Sequence, residues 1–183
     1  MHLRRALRAP HDVLDDLLSK FDLTSQDGLA CFLRVHQGGL STIARSAPSE
    51  DLCRVVNDLE ARAKKDLITL GCCPTNDIVG EDEILDALDP VALDYILGGS
   101  QMGNSVLKKR WEAATDPTVR SASAFFSATS ARDLWPRYLS VADTMPGTST
   151  RAEGITRDAS RIFQIYADLA KAELTQRSLS HAE

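Results

Sequence analysis

The sequence predicts an all-α fold, a single-domain helical bundle, on three observations. Apolar residues recur at helical spacing along most of the chain, alternating strand patterns are nearly absent, and capping residues punctuate the apolar stretches. A chain of 183 residues can bury a sizeable core in one domain. Its balance of 43% apolar and 26% charged residues is that of an ordinary globular protein.

The first helix is expected to run to about Lys20, with Leu7, Leu14 and Leu18 on the face that carries His11. Pro10 either starts that helix anew or kinks it. "FDLTSQDG" connects to a second helix, with Thr24 or Ser25 as N-cap and Leu29, Phe32, Leu33, Leu40 and Ile43 along it. "SAPSED" ends the second helix and caps a third, from about Asp51 to Leu70, closed by Gly71 and followed by Pro74. Residues 72–89 form an acidic connection with a short helix over "EDEILDAL". Asp89-Pro90 then opens a helix through "LGGSQMGNSVLKKRW", with proline in the first turn, where its missing N–H is harmless. Further helices are expected near 118–128 and 131–142. A long one runs from about Thr150 to Gln176 with Ile155, Ala159, Ile162, Phe163, Tyr166 and Leu169 on one face, and 178–183 form a disordered tail.

Charge and cysteines exclude several classes. A net charge of -5 argues against nucleic acid as a partner, because no broad cationic surface is implied. The N-terminus starts basic but lacks an apolar stretch before Asp12, Asp15 and Asp16, so no export signal is expected. No run approaches the ~20 apolar residues that span a membrane. Cys31, Cys53, Cys72 and Cys73 lack metal-type spacing, and reduced thiols in a cytoplasmic protein are the simplest reading.

Enzyme motifs with fixed spacing are missing: no phosphate-cradling loop after a strand, no nucleophile elbow, no HExxH and no CxxC. Three other features make sense together. His11 shares a face with apolar residues, and nothing near it in sequence offers a second or third ligand for a closed zinc site. A single histidine suits a metal held mainly by its own macrocycle, as in haem, although a histidine at a helix edge is commoner. Gly99 and Gly103 lie four apart on one helix face, flanked by Tyr95, Met102 and Val106. Taken alone they fit close helix packing; the functional alternative is a flat ligand pressed on the backbone, with the Ser100 hydroxyl at its edge. Arg4 lies about 10 Å along the helix from His11, which suits a ligand with a metal centre and an anionic rim, provided Pro10 does not turn it away.

The strings "LRRALRAPHDVLDDLLSKFDL", "FLRVHQGGL", "DLITLG", "YILGGSQMGNSVLKKRW" and "DLWPRYL", in this order and followed by a long last helix, resemble the bacterial haem oxygenase family. The likeness is greatest to the branch associated with bacteriophytochromes. It covers nearly the whole chain. It implies a haem sandwiched between a proximal and a distal helix, with His11 as the iron ligand. It further implies that Gly99 and Gly103 let the distal helix lie against the haem, with Ser100 beside the open coordination site. Arg4 falls where the family places a basic residue toward the propionates, assisted by Tyr95, with Arg132 or Arg137 as a second basic group. The implied activity is opening of haem, at once substrate and cofactor, to biliverdin, carbon monoxide and ferrous iron. It uses O2 and electrons from a ferredoxin or reductase, and a bacteriophytochrome is a possible acceptor of biliverdin.

Lys108, Lys109 and Arg110 would help dock an acidic electron donor, or are simply solvated charge. The sequence departs from the family at Ser100, where many members carry aspartate, at Gly98, where near relatives often carry an acid, and at Asn104, where they often carry glycine. Pro10 directly before the ligand is also atypical. A haem carrier or sensor with the same fold, and a helical interaction module without ligand, are the alternative expectations; His36 is the fallback iron ligand.

Overall fold

The computed structural model describes residues 2–74, 88–147 and 149–180, and every regular element among them is a helix. The first expected helix is divided at Leu7 into α1 (His2–Ala6) and α2 (Arg8–Ser19). Pro10 has no N–H to return to the Ala6 carbonyl, so the hydrogen-bond ladder is interrupted there and resumes with His11 N–H on Leu7 O at 3.1 Å. The apolar stripe survives the break, since Leu3, Leu7, Leu14 and Leu18 are all buried.

Capping chemistry fixes the next helices. The Ser25 hydroxyl accepts from Gly28 N–H at 3.2 Å and starts α3 (Gln26–Ala44). Ser49 does the same for Leu52 at 3.3 Å and starts α4 (Glu50–Thr69), one residue from the expected boundary. α4 ends where Gly71 turns to a φ of 73°, a left-handed conformation that a side chain would oppose. Most of the acidic connection, residues 75–87 with all of the expected short helix except Leu88, lies outside the described residues. The Asp89 carboxylate then caps Val91 N–H at 2.9 Å, and Pro90 opens α5 (Pro90–Glu112).

Two expectations differ from the structure. The helix expected near 118–128 is only α6 (Pro117–Ser121). Beyond it the buried Asp66 carboxylate accepts the N–H groups of Ala124 and Phe125 at 2.9 and 2.8 Å, drawing the chain out of helical geometry. α7 (Leu134–Ala142) starts three residues later than expected. α8 (Thr150–Ser180) continues through the first residues assigned to a tail, and residues 181–183 lie outside the described set.

α8 packs against α2, α3 and α5, α3 also packs on α4, and α7 packs on α5. Two polar clamps set how these helices meet. Arg137 of α7 holds the buried Asp94 of α5, with Nε on Oδ2 at 2.7 Å and Nη2 on Oδ1, and reaches Asp51 of α4 at 3.0 Å. Arg110 of α5 donates to the Ser19 and Phe21 carbonyls at 3.2 and 2.9 Å, closing the C-terminal end of α2.

Candidate functional site

α2 and α5 contribute two walls of one cavity of about 370 Å³, and α3 and α8 contribute further lining. That volume lies within the range of small-molecule sites, about 300–1,000 Å³. Most of the lining is apolar. Its polar side chains include His11, Asp15, His36, Ser100, Gln101 and Asn104.

His11 and the Gly99–Gly103 stretch border this same cavity, although they are far apart in sequence. The imidazole of His11 is not buried as its stripe implied: its side chain keeps 50% of its surface exposed, because it faces the cavity rather than packed core. Its Nδ1 lies 3.3 Å from Asp15 Oδ2, one turn further on, and 3.7 Å from Asp12 Oδ1. A carboxylate at Nδ1 favours the proton on that nitrogen and leaves the Nε2 lone pair for a ligand. The ring stands edge-on to Phe163 with centroids 5.8 Å apart. Among the described residues no group of three or more His, Cys, Asp or Glu side chains is placed to hold a bare metal ion. The four cysteines are free.

The glycines of α5 divide by neighbour. A Cβ on Gly98 would lie 2.6 Å from the backbone nitrogen of Trp135, so this glycine is the one that close packing on α7 requires. A Cβ on Gly99 would make only ordinary contact, 3.5 Å from the Trp135 ring, and one on Gly103 would meet nothing within 4 Å. The Ser100 hydroxyl donates to Leu97 O at 2.8 Å, so its proton is engaged and only its lone pairs remain for a ligand. Tyr95 is buried in the cavity wall against Trp135 and Tyr138, with centroids 6.0 and 5.1 Å away.

The basic residues are distributed differently from the expectation. Arg4 has its backbone in α1, and its side chain lies outside the described residues. Arg132 is exposed, and neither it nor Arg137 borders the cavity. Arg137 is instead committed to Asp94 and Asp51. Among the described residues no lysine or arginine lines the cavity. Of the basic cluster at the end of α5, Arg110 serves as the clamp on α2, and Lys108 stands 4.0 Å from Glu112.

His36 is a lining residue that the α2–α5 pattern does not single out. It stands one turn after buried Phe32 and one turn before buried Leu40, so helical spacing places it beside the core stripe of α3. Trp135, the floor beneath Gly99, carries no local signal, because its role depends on how α7 meets α5.

No family model matches the chain, and no curated protein matches it. Among the described residues the structure is all-helical, with an apolar, histidine-bearing cavity bordered by α2, α3, α5 and α8.

Proposed function

We propose that this chain is a haem-degrading oxygenase of the bacterial type its sequence resembles, opening haem to biliverdin, carbon monoxide and ferrous iron. The observation that carries this reading is the shared cavity. His11, oriented through Asp15, borders it on α2, and the open backbone around Gly103 borders it on α5. Haem when bound supplies the redox centre for oxygen chemistry, with O2 and electrons delivered by a ferredoxin or reductase. His11 Nε2 would hold the iron, and a neutral histidine suits that role. Gly103 leaves room for a flat macrocycle, Gly99 borders the same cavity beside Trp135, and the apolar lining would exclude bulk water from the faces of the macrocycle. The Arg4 position remains the proposed propionate contact. A cytoplasmic setting fits this chemistry, and no helix among the described residues is long and apolar enough to cross a membrane. A bacteriophytochrome is the proposed acceptor of biliverdin.

A second reading, a haem carrier or sensor, is favoured by Ser100. Its hydroxyl proton is taken by Leu97 O, so the cavity face of α5 offers amides at Gln101 and Asn104 but no acid. Haem added to the purified protein should give a shifted Soret band at equimolar ratio; no shift would leave the ligand-free helical module. Reductant and O2 should then replace that band with bilin absorbance, whereas a Soret band that persists supports the carrier. His11→Ala should weaken haem uptake by about tenfold or more and abolish turnover. An unchanged histidine-type spectrum in that variant would move the ligand to His36.

A further inference from the structure

His36 has no role in haem opening as described above. Its ring stands among Phe32, Phe125 and Tyr166, with centroids 4.4, 4.8 and 5.6 Å away, and the same side chain borders the cavity. Nε2 is shielded from solvent and has no hydrogen-bond partner among the described residues. Such a nitrogen weakens the fold, so packing alone would be better served there by phenylalanine. Burial pushes the His36 imidazole down to about 4, so it is neutral at pH 7 and Nε2 can either donate or accept.

Haem does not supply the missing partner. All four of its pyrrole nitrogens are tied to iron, and its perimeter is hydrocarbon apart from two propionates. A propionate in this aromatic setting would be a buried carboxylate with no lysine or arginine in the described lining. Once the ring is opened the chemistry changes. A linear tetrapyrrole carries free pyrrole N–H groups and two terminal lactam carbonyls, each able to pair with a neutral imidazole. To meet a ligand in the cavity Nε2 must turn with the ring about the Cβ–Cγ bond, a rotation that needs no backbone movement.

We infer that His36 is a specificity-determining residue for the ring-opened product: its Nε2 hydrogen-bonds a linear tetrapyrrole and holds it in the cavity, and it makes no such bond to haem. This rests on the haem-opening reading of the same cavity. It means that the site discriminates product from substrate through one buried nitrogen, and that product release involves breaking that bond.

The test uses the full chain as wild type, His36→Phe, His36→Leu and His36→Gln, each titrated separately with haem and with biliverdin and melted without ligand. His36→Phe should melt higher than wild type, bind biliverdin about three- to tenfold more weakly and bind haem within about twofold of wild type. His36→Leu should show the same ratio of affinities if phenylalanine does not fit. His36→Gln, which keeps a polar group at similar reach, should recover part of the biliverdin affinity. Equal losses for both ligands overturn the inference, as does a raised melting temperature with biliverdin binding unchanged; either result leaves haem opening standing. A wild-type protein that takes up neither ligand overturns both. Biliverdin binding that is lost in His36→Phe, in a protein that never binds haem, removes the oxygenase and keeps the His36 contact.

Discussion

Gly98 and Gly103, five residues apart on α5, meet opposite surroundings. On one side Gly98 lets the backbone of α7 approach so closely that a methyl group would meet Trp135 N at 2.6 Å. That side is locked by the Arg137 clamp on Asp94, whose side chain keeps only 3% of its surface exposed. On the other side Gly103 fronts open space, and Met102 and Val106 beside it are 59% and 63% exposed. A stripe of small residues thus marks either a helix contact or open space. What lies across from each one separates the two.

The largest expected effect is on the packed side. Gly98→Ala should destabilise the protein by about 2 kcal/mol, since overpacking against backbone outweighs the roughly 1 kcal/mol gain in helix propensity. The urea midpoint should fall with little change in slope. A variant as stable as wild type would show that α7 is not seated on this glycine, and the two sides of α5 would no longer differ.

Sequence periodicity and capping residues made the helices legible wherever the causes are local. Ser25, the Asp89-Pro90 pair and Gly71 end or begin helices through atoms within a few residues of themselves. The single-helix reading of residues 122–128 failed because Asp66, nearly sixty positions away, takes their N–H groups. The site was legible to the same degree. His11 and the glycine stripe, which taken alone fit a helix edge and a packing surface, were joined into one candidate site by the resemblance, and both border one cavity. Their neighbours could not be picked out. Gly98 reads in sequence as a departure from the haem oxygenase pattern; its need is created by Trp135 on another helix. Arg110 reads as docking charge, yet it caps α2. Arg137 reads as a ligand contact, yet it neutralises a buried aspartate. In each case the deciding partner comes from a distant part of the chain.

A smaller effect should come from His36, whose Nε2 is shielded at the edge of the cavity. Its folded pKa of about 4 lies below the ordinary 6.5, so the unfolded chain takes up the proton first as the solution is acidified. The stability tied to a neutral His36 is complete above the unfolded pKa and is lost as pH falls from there toward the folded one. Between pH 7 and 5.5 wild type should lose about 1 kcal/mol more than His36→Phe, measured by urea unfolding. The other titratable groups that border the cavity, His11, Asp15, Tyr95 and Tyr166, are common to both proteins. Parallel pH profiles would show that His36 is charged or solvated in the native state, which would open its side of the cavity to water.

The smallest effect on stability is expected at Gly103, and it bears most directly on the open space. Its Cβ would meet no atom within 4 Å, so Gly103→Ala should stabilise the ligand-free protein by up to about 1 kcal/mol through helix propensity alone. The same methyl group stands on the cavity wall and should weaken haem uptake. Stability and uptake would then move in opposite directions, which no packing glycine can produce, because filling a packed contact lowers both. If alanine costs stability here, the open side is packed after all. If it leaves uptake unchanged, the ligand does not lie against this turn of α5, and the glycine serves neither purpose.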